Sequence, residues 1–326
     1  MKFTILIITV LFGMSCSSKK ESQAEKKPSE KKVKKRFINN KGQPVKLTKA
    51  DSIVKKYTDG KKDFRKMNID ELFDLIATPI VTDLPEIYDK ILAVGDDVYE
   101  RILKGLRTDN NFLRLNCVKL LGHGKKKNSK FVDVLTEMFK KEPKFQVRVM
   151  IIDSLEKNGL WNDKVVQTLD KALTDQTLLV QWQAVKTIGA FSKEAGNYYD
   201  RVEKYLTHDK YWLRHSSALT LWKLRPDEKK GIEVLVKEDP KEEFHQIKTL
   251  VKTLGSITKH RHLTVPRLAK YLGHKRLAIA RMAALALKDA GKDAIFAKAE
   301  LEKALKHKDY SIRKYAQDTL DIINKK

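Results

Sequence analysis

Apolar residues recur along this chain at steps of three and four, the spacing that places side chains on one face of an α-helix. Val165, Val166, Leu169, Ala172 and Leu173 make one such face; Val180, Ala184, Val185 and Ile188 make a second, and the turn between them carries Asp175. The two-helix pattern then returns down the sequence. Its register is set by Ile102, Leu135, Leu169, Val202, Leu235, Leu268 and Leu301 in the first helices, and by Arg114, Arg148, Gln181, Arg214, Ile247, Ala280 and Arg313 near the start of the second. Both columns step by 33 residues, with a single step of 34 beside the turn that contains Pro143.

Two further columns follow those second-helix anchors. Three residues on stand Cys117, Ile151, Ala184, Ser217, Leu250, Ala283 and Ala316, and seven on stand Leu121, Leu155, Ile188, Leu221, Leu254, Leu287 and Leu320. Small residues in the first of these allow neighbouring helices to approach closely. A helix pair of this length cannot bury its apolar faces alone, so successive pairs must stack. The expectation is an all-α superhelix of seven pairs over 98–326. A degenerate capping repeat over 61–97 is expected on Ile69, Phe73 and Val81, with Pro79 and Pro85 disturbing its helices.

The motif Asp209, Leu213-Arg214, Ala218, Leu221, repeated as Asp309, Ile312-Arg313, Ala316, Leu320, resembles the short HEAT repeats. The resemblance covers roughly 69–326 and implies an α-solenoid whose turn Asp and helix Arg form a ladder between units. Asp109, Asp175, Asp209 and Asp309 keep the acid, whereas Gln181, Ile247 and Ala280 lack the arginine, so a partial ladder is expected. The family mostly scaffolds proteins or nucleic acids and includes a few enzymes. Ankyrin and tetratricopeptide signatures, which share the period, are absent.

A different pattern occupies the amino terminus. Lys2 is followed by the apolar run Phe3 to Phe12, about ten residues and too short to span a bilayer, which reads as a signal-peptide core over 1–15. Gly13-Met14-Ser15 before Cys16 resembles the lipobox of bacterial lipoproteins, with Gly13 where that family usually has Leu. The resemblance implies lipidation of Cys16, with an ordinary signal peptide or an uncleaved anchor as the alternatives. Ser17 follows the family's pattern for outer-membrane sorting where the source has two membranes. The stretch 17–36 then carries nine basic and three acidic side chains and no aromatic residue, so 16–60 is expected to be a disordered tether.

Charge narrows the partners. With 67 Lys and Arg against 42 Asp and Glu, the formal net charge is +25, which favours acidic or phosphate-bearing partners; the mean hydropathy of −0.48 excludes a polytopic membrane protein. Cys117 lies on an apolar helix face and reads as a small buried hydrophobe. The sequence holds no HExxH, GxSxG or P-loop pattern, and none of the eight histidines is followed by Glu as in the HEAT-type metal hydroxylases. His260 and His262, two apart, would point away from one another on a helix. No cofactor and no enzymatic activity are therefore expected.

The residue directly after each anchor is expected to face away from the core, giving a stripe of Leu115, Val149, Trp182, His215, Lys248, Arg281 and Lys314 that runs from apolar through aromatic to basic. Trp182, His215, Lys248, Arg281 and Lys314 are the candidate binding residues, with Trp212 and Trp222 nearby; packing between repeats is the alternative for these aromatics, above all for Trp212 and Trp222. The resulting expectation is an envelope-anchored lipoprotein, held to the membrane by its lipid, whose solenoid scaffolds an acidic protein partner. The alternative is a polyanion binder acting on lipid phosphate or nucleic acid, the latter disfavoured by export.

Overall fold

The computed structural model describes residues 64–78, 85–95, 97–123, 127–240 and 243–325. The expected signal peptide at 1–15, the expected lipidation at Cys16 and the expected tether at 16–60 lie outside the described residues. Residues Phe64–Lys66 form a short 3-10 turn, and the chain from Met67 onward is one compact unit. Among the described residues there are sixteen α-helices and no strand.

Two helices open the unit, α1 (Ile69–Ile76) and α2 (Pro85–Leu92). Asn68 and Glu71 close a reciprocal capping box on α1, satisfying two backbone donors that the first turn leaves without partners. Pro85, expected to break a helix, is instead the first residue of α2, where a missing N–H removes no helical bond. Val81 and Pro79 lie outside the described residues. Both helices dock on the first regular pair through Asn116, which is fully buried, accepts from the Tyr88 hydroxyl at 2.7 Å and donates to the Ile76 carbonyl at 2.6 Å.

Seven pairs follow: α3 (Asp97–Leu106) with α4 (Asn111–His123), α5 (Ser129–Lys141) with α6 (Phe145–Asn158), α7 (Asp163–Leu173) with α8 (Leu178–Ala190), α9 (Tyr199–Glu203) with α10 (Tyr211–Leu224), α11 (Lys230–Lys237) with α12 (Phe244–Ser256), α13 (Arg261–Ala269) with α14 (Leu277–Asp289), and α15 (Lys298–Ala304) with α16 (Tyr310–Asn324). The column from Ile102 to Leu301 is at most 1% exposed, and that from Cys117 to Ala316 is wholly buried. Apolar periodicity therefore sets the core directly. Burial pushes the Cys117 thiol up to about 12, as an inert core residue requires.

The second helices pack side by side, and their contacts alternate with a period of two pairs. Eight residues after the anchor stand Gly122, Gly189 and Gly255 in α4, α8 and α12, but Glu156, Trp222 and Lys288 in α6, α10 and α14. A methyl group added at Gly122 would meet Ser154 at 2.7–2.8 Å, and one at Gly189 would meet Thr220 at 2.6 Å. Gly122 and Gly189 thus let the next helix come close enough for a hydroxyl to reach the backbone: Ser154 donates to the Val118 carbonyl and Thr220 to the Val185 carbonyl, both at 3.0 Å, while Gly255 faces Ala286. In the intervening seam α6/α8 the equivalent Thr187 meets a side chain, donating to Glu156 at 2.9 Å.

The fifth pair departs from the repeat. Gly231 brings α11 hard against α10, where an added methyl would sit 2.3 Å from the Ala218 carbonyl oxygen. Meanwhile α12 stays close to α14, and the backbones of α10 and α12 are farther apart than those of any other neighbouring second helices. A buried polar network fills that seam.

Candidate interaction face

The ladder that couples successive units is built from more positions than the Asp-Arg rule implies. Arg114, Arg148, Arg214 and Arg313 each donate from Nη1 to the carbonyl six residues earlier, at Thr108, Glu142, His208 and His307, at 2.6–3.1 Å. Gln181 does the same to Asp175 at 2.7 Å. The side chain of that turn residue, in turn, accepts the backbone N–H two residues on, as Asp175 does from Thr177 and His208 from Lys210. Where it is an acid, the preceding unit supplies a guanidinium: Arg114 to Glu142 at 3.3 Å, and Arg148 to Asp175 in a two-bond fork at 2.8 and 2.9 Å. His208, His274 and His307 occupy the turn where the preceding anchor is Gln181, Ile247 or Ala280, so the preceding anchor sets no guanidinium against these imidazoles.

Two of the turn aspartates expected in the ladder are outside it. Asp109 is exposed, and Asp209 is 76% exposed and pairs with His208 and Lys210. Glu142 and Glu238 act in their stead. At the far end Arg281, one residue beyond Ala280, takes the arginine's part with Asp309 at 2.5 and 3.1 Å and holds that carboxyl down to about 2.

The expected stripe divides at the α10/α12 seam. Val149, Trp182 and His215 are 2%, 6% and 4% exposed, so Trp182 and His215 do not form an open binding surface. Trp182 lies against α10, its indole N–H donating to Ser216 at 2.7 Å, Trp212 edge-on at 5.9 Å and the Lys186 ammonium 4.6 Å over its ring. These large side chains fold sideways onto the next helix and are covered there. His215 enters the seam: Nδ1 stands 2.9 Å from Glu238 and 3.3 Å from the Tyr211 hydroxyl, and Nε2 stands 3.0 Å from the Thr253 hydroxyl. A carboxylate only accepts, so in the neutral ring Nδ1 donates to Glu238 and Nε2 accepts from Thr253. Arg214 flanks the same carboxylate at 3.4 Å, and burial beside Glu238 raises the Tyr211 phenol well above its usual range.

Beyond the seam the same position is open. Lys248, Arg281 and Lys314 are exposed on the consecutive helices α12, α14 and α16. Lys252 lies one turn after Lys248, and neither has an ion-pair partner among the described residues. On α14, Ala278, Arg281 and Leu285 form one outward line at three- and four-residue steps, with Met282 half-buried beside it. Leu277, Leu285, Ile295, Phe296 and Tyr310, 36–68% exposed, are five of the seven large apolar side chains that the described residues leave open. Charge gathers in the same place, with 18 Lys and Arg against 7 Asp and Glu over 244–325, compared with 27 against 20 over 97–240. Among the described residues no group of three or more His, Cys, Asp or Glu could hold a metal ion, and no helix is long and apolar enough to cross a membrane.

Three solved structures resemble the stack. The Escherichia coli protein YibA aligns with a TM-score of 0.58 at 16% identity, over 87% of this chain and 100% of its own. The body is an all-α solenoid of HEAT-like helix pairs. The CpcE and CpcF complex of phycocyanin lyase from Nostoc aligns with a TM-score of 0.48 at 16% identity over 73% of this chain and 95% of that one. An archaeal HEAT-like repeats protein from Thermococcus onnurineus gives 0.34 at 16% over 79% and 97%. No protein-family model and no curated protein match the sequence. At these identities the solenoid is alike in fold alone.

Proposed function

We propose that the solenoid is a scaffold that holds an acidic protein partner on the second-helix face of its last three pairs. One observation carries this reading. Exposed cations and exposed apolar side chains are interleaved there, at Lys248, Lys252, Arg281, Leu285, Tyr310 and Lys314, while Val149, Trp182 and His215, at the register of Lys248 in the three preceding pairs, are covered. A surface that bound only phosphate would gain nothing from exposed Leu and Tyr, whereas protein interfaces use apolar anchors framed by charge. The signal-like run and Cys16 support export and attachment of this scaffold to the cell envelope through a lipid, with the basic segment after Cys16 lying between anchor and solenoid.

A photo-crosslinking residue at Ala278 in the full-length chain tests the reading in envelope preparations. Protein adducts that disappear when Lys248, Lys252 and Lys314 are changed to Glu are expected. Adducts to lipid or nucleic acid alone would favour the polyanion reading instead, which the charge surplus of 244–325 also supports. Metabolic labelling with a fatty-acid probe, lost in Cys16→Ser, tests the anchor.

A further inference from the structure

Resting on that reading, we infer that the partner's contact segment is an acidic amphipathic helix lying lengthwise along α14. The face has a central row on α14, Ala278, Met282 and Leu285, which is apolar apart from Arg281, and Arg281 is engaged by Asp309. Flanking it are two cationic rows, Lys248 and Lys252 on α12 and Lys314 on α16. Lys314 stands one turn from Asp318, whose carboxylate Lys288 holds at 2.7 Å.

Neighbouring helix axes lie about 8–10 Å apart, so the two cationic rows are separated by roughly 16–20 Å. A single extended strand is too narrow to reach both, since its side chains alternate up and down. A helix of about 10–12 Å diameter can seat an apolar stripe on Leu285 and Met282 while carboxylates on both flanks meet the lysines. The 13 residues of α14 make a track about 20 Å long, enough for three to four turns. Leu277 and Tyr310 lie at the amino-terminal ends of α14 and α16, where they extend the apolar contact.

The test uses helix-stabilised peptides of about 14 residues, matching that track, titrated by fluorescence anisotropy against the full chain. One carries a Leu stripe with Glu on both flanks, the second has Lys in place of Glu, and the third has the first peptide's composition with its stripe scattered. The first should bind about tenfold or more tighter than the third, and the second not at all. Lys248→Glu with Lys252→Glu and Lys314→Glu should weaken the first peptide about 30-fold or more, and Leu285→Glu about fivefold or more, with unchanged helicity by circular dichroism. Equal binding of the first and third peptides, or binding that survives both sets of changes, overturns the helix. A protein crosslinked at Ala278 through a non-helical segment would also end this inference while leaving the scaffold intact; absence of any protein adduct would remove the scaffold reading beneath it.

Discussion

The pairs before and after the α10/α12 seam share one backbone plan but present different faces to solvent. Before it, Val149, Trp182 and His215 close over the next helix; after it, Lys248, Arg281 and Lys314 stand open at the same register position. Repeat position therefore fixes where a Cβ points, and side-chain size and charge decide whether that point is core or surface. A large ring gains by lying against its neighbour, whereas a long cation keeps its head in water. The seam between the two regions is correspondingly polar, with Glu238 and His215 doing what Gly and Ser or Thr do elsewhere.

The largest expected effect comes from breaking that seam. Glu238 is buried between His215, Arg214 and Tyr211, and Glu238→Ala would strand His215 and loosen both helices, at about 3–5 kcal/mol in urea unfolding. His215→Leu combined with Glu238→Leu should lose less than the single change, since no buried imidazole is then left without its carboxylate. A single change below about 1 kcal/mol would mean that the network does not hold the two regions together.

Next in size is a test of the glycine seams. In a helix, Gly→Ala normally stabilises by about 0.8–1 kcal/mol. At Gly122 the added methyl runs into the Ser154 backbone and side chain, so Gly122→Ala should instead destabilise by about 1–3 kcal/mol. Gly273→Ala, in a turn where the methyl meets nothing within 4 Å, should change stability by about 0.5 kcal/mol or less. Stabilisation at both positions would show that close approach is not what α4 and α6 require.

A smaller effect distinguishes the ladder on the two sides. Arg281 holds the Asp309 carboxyl at about 2, below the unfolded value of about 3.9. A depressed carboxyl stabilises the fold above its unfolded pKa and loses that contribution as pH falls from about 4 through about 2. The stability difference between the wild-type chain and Arg281→Gln should therefore narrow over that interval. A constant gap would mean that the pair seen at 2.5 Å contributes through packing alone.

How much of this was legible in the sequence follows the same physics. The buried columns could be read directly, because every position from Ile102 to Leu301 and from Cys117 to Ala316 must be apolar or small in any stack of this kind. The open face could be read only in part. Lys248, Arg281 and Lys314 lie where periodicity points, but Trp182 and His215 occupy the same register and turn aside onto Ser216 and Thr253, which depends on a neighbour one unit away. The ladder's acids were missed at Glu142, which holds the turn position of Asp175 but is not an Asp, and at Glu238, which stands nine residues before its anchor Ile247 instead of six. The two-pair alternation of Gly122, Gly189 and Gly255 was present in the sequence at steps of 67 and 66, and a search at twice the repeat length would have found it.

Thiol labelling reads opening on each side of the α10/α12 seam separately. Cys117 lies in α4, beside the close Gly122–Ser154 seam, and its thiol, pushed up to about 12, reacts only when the surrounding helices open. Ala283 is the equivalent, equally buried position in α14. In a chain whose units touch only neighbours, the segment beyond the weakest seam can open while the rest stays folded. With Cys16 replaced by Ser, and Ala283→Cys compared in a chain that also lacks Cys117, the position in α14 should label about tenfold faster than Cys117 in native buffer, and Glu238→Ala should widen the ratio. Equal rates, or a ratio untouched by Glu238→Ala, would place the easiest opening elsewhere, because breaking the α10/α12 network would then release nothing that was not already free.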